Sequence, residues 1–102
     1  MRVRRLQSAI ADFTEVIRLK PGFALAYCSR GLASVLLGEY DDALADFTTA
    51  IDKQPGLTFC YFSRGSLYLV TGEFQKAISD LTEALGDVKV KVIALSRRGA
   101  SV

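Results

Sequence analysis

The sequence contains no histidine and only two cysteines, Cys28 and Cys60, among its 102 residues. Without histidine, the chain cannot form a Ser-His-Asp or Cys-His triad, a histidine-bearing zinc site or an imidazole acid–base pair. Two cysteines are too few for a disulfide framework or a four-thiolate metal site. These absences lead us to expect no metal and no other cofactor. Because unpaired thiols in a small domain are typical of a reducing compartment, we also expect a cytoplasmic protein.

Long hydrophobic runs are missing as well. The stretch from Leu32 to Leu37 ends at Gly38-Glu39, far short of the roughly 18 apolar residues that span a membrane, and the basic start of the chain leads into no signal-peptide segment. The net charge is only +2, with five acids and no base between positions 39 and 52 and basic residues concentrated near the ends. Nucleic acid is bound by a continuous basic face, so we expect neither a membrane nor a nucleic acid as partner.

Half of the residues are hydrophobic, and the sequence contains an internal repeat. Its period is about 34 residues, and self-similarity at such a period is typical of repeat proteins. Segment 24–57 is identical to segment 58–91 at ten positions: Tyr27, Ser29, Arg30, Gly31, Gly38, Glu39, Ala43, Asp46, Thr48 and Ala50. Partial copies flank these two segments. We therefore predict one domain, with full repeats at 24–57 and 58–91, a second half-repeat at 1–23 and a first half-repeat at 92–102.

Each full repeat is predicted to form two α-helices, which makes the protein all-α. Apolar residues recur at helical spacing in both halves of the repeat. Gly38 ends the first helix, since glycine readily adopts the left-handed conformation that follows a helix, and Pro55-Gly56 ends the second. The predicted helices cover residues 6–19, 24–37, 40–53, 57–71, 74–85 and 90–101.

The spacing of large and small residues resembles the tetratricopeptide repeat family over essentially the whole chain. The matching positions are Tyr27, Arg30-Gly31, Gly38, Tyr40, Ala43, Phe47, Ala50 and Pro55 in one repeat, and Tyr61, Arg64-Gly65, Tyr68, Gly72, Phe74, Ala77, Leu81 and Ala84 in the next. The resemblance implies a right-handed α-α superhelix, a solenoid of helix-turn-helix repeats. It also implies a protein–protein interaction scaffold and not an enzyme.

In such a superhelix the first helix of each repeat lines a concave groove that binds a protein or peptide. The resemblance assigns the groove to Leu25, Cys28, Ser29, Leu32, Val35, Leu36, Phe59, Phe62, Ser63, Ser66, Leu69, Val70, Ile93, Ser96 and Arg97. Most of these residues are apolar, and large exposed apolar patches mark interaction sites. We therefore expect an apolar or amphipathic helical peptide as partner, with Leu32, Phe59, Phe62 and Leu69 as anchors.

Family members that grip the acidic tails of heat-shock chaperones use lysines and asparagines to clamp a carboxylate. The corresponding positions here are Cys28, Leu32, Ser63, Ile93 and Arg97. Of these side chains only Arg97 suits a carboxylate, so we do not expect that ligand.

Two recurring polar positions depart from the family pattern. Arginine replaces the usual apolar residue before the glycine at Arg30, Arg64 and Arg98, and an aspartate recurs in the second helix at Asp12, Asp46 and Asp80. We expect these arginines and aspartates to form buried or half-buried ion pairs along the stack. In the alternative arrangement, both sets lie on solvated faces.

Two alternatives to a peptide-binding groove stay open. The half-repeats at the two ends complement each other, so the chain is alternatively a self-associating protein or a structural segment of a longer solenoid, with its groove covered by another copy or by neighbouring repeats. An enzyme would use the carboxylate pairs Asp12 with Glu15 and Asp80 with Glu83, which share a helix face at i, i+3 spacing. Without histidine or a glycine-rich phosphate loop, we expect these carboxylates to be solvated.

Overall fold

The computed structural model describes residues 2–86, which form five α-helices and no β-strand. The helices are α1 (Arg2–Leu19), α2 (Ala24–Leu36), α3 (Tyr40–Lys53), α4 (Thr58–Thr71) and α5 (Phe74–Ala84). Their positions agree closely with the prediction. The helix predicted over 90–101, the half-repeat 92–102 and the predicted groove residues Ile93, Ser96 and Arg97 lie outside the described residues.

The start of α1 differs from the prediction, because the helix begins at Arg2 and not at residue 6. The reason is that Val3, Leu6 and Ile10 extend its apolar stripe towards the start of the chain at helical spacing. Val3 and Leu6 lie beside Leu36 at the end of α2 and line a depression with it. The basic side chains of this segment therefore belong to the helix.

Packing between the helices places them in two layers. Each helix packs against the next one along the chain, and α2 also touches α4, whereas α1, α3 and α5 do not touch one another. The first helices α2 and α4 are thus close together and the second helices are spread apart, so the stack curves with α2 and α4 on its concave side. The result is an elongated right-handed solenoid with extents of 54 × 30 × 25 Å.

The turn within each repeat is made in the same way twice. Gly38 and Gly72 follow α2 and α4 with φ angles of 79° and 83°, in the left-handed region that only glycine adopts without strain. The next residue closes the turn, as Glu39 donates its N–H to Ser34 O at 2.9 Å and Glu73 donates to Tyr68 O at 2.9 Å. Predicting the helix ends from these glycines was correct.

The core lies between the two layers and depends on a close approach of α2 to α3. Ala43, Phe47 and Ala50 of α3 are fully buried against α2. A Cβ atom on Gly31 would lie only 2.7 Å from Phe47 Cε1, and one on Gly65 would lie 2.9 Å from Leu81 Cγ. Glycine therefore stands at this position in both repeats because the facing helix leaves no room for a side chain.

Candidate functional site

The concave layer formed by α2 and α4 carries almost no charge. Arg30 and Arg64 are the only ionisable acids or bases other than cysteine and tyrosine in these two helices. Many of its apolar side chains face solvent. The exposed fractions are 45% for Leu25, 72% for Leu36, 48% for Phe59, 50% for Phe62, 48% for Leu69 and 62% for Val70. We call these six residues the apolar face.

The apolar face comprises six of the groove positions that the sequence predicted. Four others, Ser29, Leu32, Val35 and Ser66, are half-buried. Leu32 and Val35 pack against the core cluster, so part of each side chain is already used within the fold. Among the predicted anchors, Phe59, Phe62 and Leu69 present far more free surface than Leu32.

Two groove assignments need correction, because Cys28 and Ser63 lie inside the protein. Cys28 is 0% exposed and Ser63 is 6% exposed. Both are placed where α2 meets α4, and the Ser63 hydroxyl donates to Phe59 O at 2.9 Å, one turn back in its own helix. Neither side chain has surface to offer a partner.

The two thiols are buried in the same core cluster. Burial, together with the neighbouring Cys60, raises the pKa of the Cys28 thiol to about 12, and burial also raises the pKa of Cys60. A thiol with so high a pKa is almost entirely protonated at neutral pH and is a poor nucleophile. These cysteines act as small apolar residues of the core.

The recurring arginines and aspartates form ion pairs, which confirms the expectation for the two pairs inside the described range. Arg30 donates from Nε to Asp46 Oδ2 at 2.8 Å and from Nη2 to Asp46 Oδ1 at 2.7 Å. Arg64 and Asp80 repeat this two-pronged contact at 2.7 and 2.8 Å. These two-pronged contacts hold each guanidinium against the second helix of its repeat. The carboxylates also raise the pKa values of both arginines.

A threonine joins each arginine–aspartate pair, which the sequence analysis did not predict. The remaining nitrogen Nη1 of Arg30 donates to Thr14 Oγ1 at 3.2 Å, and Nη1 of Arg64 donates to Thr48 Oγ1 at 3.2 Å. Each arginine thus links its own repeat to the preceding second helix. A signal was present, because Thr14 and Thr48 stand at equivalent positions, each at the same sequence separation from its arginine.

Tyrosine rings lie next to the guanidinium groups of both arginines. The sequence analysis did not predict these contacts. The Arg30 guanidinium lies 5.8 Å from the Tyr27 ring, and that of Arg64 lies 5.9 Å from the rings of both Tyr61 and Tyr68. Stacking of this kind favours arginine over lysine. Within residues 2–86 no buried side-chain nitrogen or oxygen is left without a hydrogen-bond partner.

The acidic pairs considered for catalysis have structural partners or face solvent. Glu15 accepts hydrogen bonds from Arg18, which lowers its pKa, and Asp80 is bound by Arg64. In the part of the chain that the structure describes, no three cysteine or acidic side chains come together as metal ligands. No helix there has the length and apolar character needed to cross a membrane.

The chain matches known proteins at the level of both sequence and structure. Residues 1–58 match the family model described as tetratricopeptide repeat, whereas the search of curated proteins gave no match. The crystal structure of MamA superimposes with a TM-score of 0.79 and 30% identity, covering 86% of this chain and 52% of that one. The chain therefore spans about half the length of this relative.

Two further solved structures are similar over a larger share of their own length. The yeast Sti1 TPR2B domain, solved as a complex with pHsp70, has a TM-score of 0.80 and 26% identity, covering 93% of this chain and 77% of that one. The Arabidopsis OM64 TPR domain has a TM-score of 0.78 and 24% identity, covering 97% and 84%. The latter likeness shows the fold alone.

Proposed function

This chain belongs to the tetratricopeptide repeat family. We propose that it is a protein–protein interaction scaffold whose concave groove binds an apolar or amphipathic helical segment of a partner protein. The segment lies along the apolar face, with Phe59, Phe62 and Leu69 as its main contacts. The proposal includes a non-catalytic role and, from the two unpaired thiols, a place in the cytoplasm.

The observation that carries this proposal is the apolar, uncharged surface of α2 and α4. Both arginines of these helices are bound to aspartates on the opposite layer, so they do not reach a ligand in the groove. When a partner covers exposed phenylalanine and leucine side chains, the free energy of binding becomes more favourable by about 25 cal/mol for each Å² of apolar surface removed from water. An acidic segment would lose hydration in this groove without gaining a cation in return.

The complex of the yeast Sti1 domain with pHsp70 supports the idea that a fold of this kind holds a peptide. The side chains of the groove in this chain favour an apolar ligand over a carboxylate. Of the positions implied for a carboxylate clamp, Cys28 and Ser63 are buried and Leu32 is apolar. We therefore propose that α2 and α4 select the apolar side of a helix and make no specific contact with a terminal carboxylate.

A direct test uses a fluorescent amphipathic peptide of roughly 18 residues, five helical turns of leucine, alanine and glutamine. Binding to the chain is measured by fluorescence anisotropy, with a scrambled peptide of the same composition as the reference. We expect the amphipathic peptide to bind and Phe62→Ser to weaken it by about tenfold or more, because burial of a phenylalanine contributes about 1.5–3 kcal/mol.

The matched control is Phe74→Ser, which removes a phenylalanine of α5 that lies outside the concave layer and is 61% exposed, against 50% for Phe62. This variant is expected to bind like the parent chain. Equal binding by the Phe62→Ser variant and the parent would contradict the proposal, as would equal binding of the scrambled peptide.

A further inference from the structure

The second helices α1 and α3 do not touch each other, and a polar cleft lies between them on the side of the stack opposite the apolar face. Its volume is about 350 Å³. α2 forms its floor, whereas α1, α3 and the turn between α2 and α3 form its walls. The lining residues are Ile10, Thr14, Arg30, Ser34, Glu39, Asp42, Ala45 and Asp46.

The cleft carries a net negative charge. Its walls hold the carboxylates of Glu39, Asp42 and Asp46, and Arg30 is the one guanidinium among the lining residues. Arg30 is engaged by its two-pronged contact with Asp46, so these two charges balance. Glu39 and Asp42 are exposed and form no ion pair with another described residue. A cation in the cleft would therefore meet two carboxylates that have no fixed partner.

The next repeat has an aromatic ring at the place where this cleft has a serine. Ser34 corresponds to Tyr68, one repeat period later. The Arg64 guanidinium lies 5.9 Å from each of two tyrosine rings, and one of these is the ring of Tyr68. Arg30 has one such ring among the described residues, that of Tyr27 at 5.8 Å. The Arg30 guanidinium therefore has room for a second ring on the side that lines the cleft.

The next repeat also has a cation where this cleft has an acid. Asp42 corresponds to Lys76, and Glu39 corresponds to Glu73. Lys76 Nζ lies 5.7 Å from the centre of the Tyr68 ring and 3.1 Å from Glu73 Oε1. Since aspartate replaces this lysine in the first repeat, the cleft has one more carboxylate and one fewer ammonium group than its counterpart.

Ser34 gives independent evidence for a ligand at the floor of the cleft. It is only 3% exposed and lines the cleft. Its hydroxyl makes no hydrogen bond to another described residue, yet no fully buried side-chain oxygen in that range lacks a partner. The hydroxyl therefore reaches the space of the cleft, where a polar group of a ligand would satisfy it.

We propose that this cleft binds a small aromatic amine, a molecule that carries a phenyl or phenol ring and an ammonium group on a short chain. The ring lies against the Arg30 guanidinium, in the place that the second tyrosine takes in the next repeat. The ammonium group binds Glu39 and Asp42, as the lysine of that repeat binds its glutamate. The site lies on the opposite side of the stack from the apolar face, so it does not depend on the function proposed for the groove.

The test is a titration of the isotopically labelled chain with tyramine, followed by nuclear magnetic resonance. We expect saturable chemical-shift changes at Thr14, Ser34, Glu39 and Asp42. The expected Kd is about 1 mM, because a ligand of roughly ten non-hydrogen atoms binds weakly. Two reference compounds separate the parts of the ligand. 4-Methylphenol has the ring without the ammonium group, butylamine has the ammonium group without the ring, and each should bind about tenfold more weakly or not at all.

Two substitutions probe the two halves of the site. Ser34→Tyr places the ring of the next repeat in the cleft and should abolish tyramine binding, and Tyr68 shows that the fold has a tyrosine at this position. Asp42→Asn should weaken binding by about tenfold, because one of the two carboxylates for the ammonium group is lost. Since Asp42 is exposed, this second variant keeps the test decisive if Ser34→Tyr does not fold.

The matched control is Asp41→Asn, which removes an exposed neighbouring carboxylate that does not line the cleft and should leave binding unchanged. Phe62→Ser should also bind tyramine like the parent, which separates this site from peptide binding in the groove. The proposal is overturned if the parent shows no saturable change at roughly ten times the expected Kd. It is also overturned if Asp42→Asn or a folded Ser34→Tyr variant binds as tightly as the parent, or if either reference compound binds as tightly as tyramine.

Discussion

The helix pairs α2–α3 and α4–α5 share their polar contacts but differ in their apolar packing. Arg30 with Asp46 and Arg64 with Asp80 have the same atoms in contact at nearly the same distances. By contrast, Ile51 in α3 is 7% exposed, whereas Leu85, its equivalent just after α5, is 47% exposed. The difference follows from position, since α3 packs against α2 and α4 while α5 packs against α4 alone among the described helices.

The two kinds of contact constrain the residues of a repeat to different degrees. Hydrogen-bonded ion pairs are directional and tolerate little variation, so they recur with unchanged residues. Apolar contacts are non-directional and depend on how many neighbours surround a helix. The repeat therefore preserves its polar contacts and adjusts its apolar side chains to the local environment.

The largest expected effect comes from truncating the apolar residue that faces the glycine. Phe47→Ala should lower the free energy of unfolding by about 4 kcal/mol, since Phe47 is fully buried. Leu81→Ala should cost about 2 kcal/mol, because Leu81 is smaller and only half-buried. Urea denaturation followed by circular dichroism measures both values. Equal losses of unfolding free energy in the two variants would contradict the difference in apolar packing between α2–α3 and α4–α5.

A smaller effect, and an equal one in both pairs, is expected from breaking the ion pairs. Asp46→Ala and Asp80→Ala should each cost about 2 kcal/mol, less than a fully buried pair, because their arginines keep about a fifth of their side-chain surface in water. The exposed residue Asp52, changed to alanine, is the control and should have an effect within about 0.5 kcal/mol. A marked difference between the two aspartates would mean that the polar contacts are not equivalent.

The smallest expected difference, about 1 kcal/mol, lies between the two glycines at the crossing of each helix pair. In Gly31→Ala the new methyl group meets the rigid Phe47 ring at 2.7 Å and also Ala43 O at 3.2 Å, so we expect a loss of about 2 kcal/mol. In Gly65→Ala it meets Leu81 Cγ at 2.9 Å and Asp80 Cβ at 3.1 Å. Because the half-buried leucine side chain yields more easily than the buried aromatic ring, the loss should be about 1 kcal/mol. Thermal unfolding of both variants gives the order, and the reverse order would refute this explanation.

Much of the fold followed from the sequence because its signals are local. The identities between repeats, the glycines at 38 and 72 and the helical spacing of apolar residues each act within one repeat, and they gave the helices and the two ion pairs. The start of α1 was less clear, because Arg4 and Arg5 interrupt its apolar stripe in the sequence. Only the fold shows that Val3 and Leu6 line a depression together with Leu36 of α2.

The candidate site was harder to predict than the fold. Cys28 and Ser63 fall on the concave side of their helices in the repeat pattern, but α2 and α4 contact each other there and bury both side chains. The hydrogen bonds from Arg30 to Thr14 and from Arg64 to Thr48 cross from one repeat to another, so spacing within a single repeat does not reveal them. Burial between helices depends on their separation in space, which a helical pattern alone does not specify.

The central claim is that the apolar face on α2 and α4 binds a helix. The most direct measurement is a titration of the isotopically labelled chain with the amphipathic peptide, followed residue by residue with nuclear magnetic resonance. We predict that the largest changes in chemical shift occur at Leu25, Phe59, Phe62 and Leu69. Changes concentrated on the solvent-facing side of α3 and α5, or no saturable change at all, would contradict the claim.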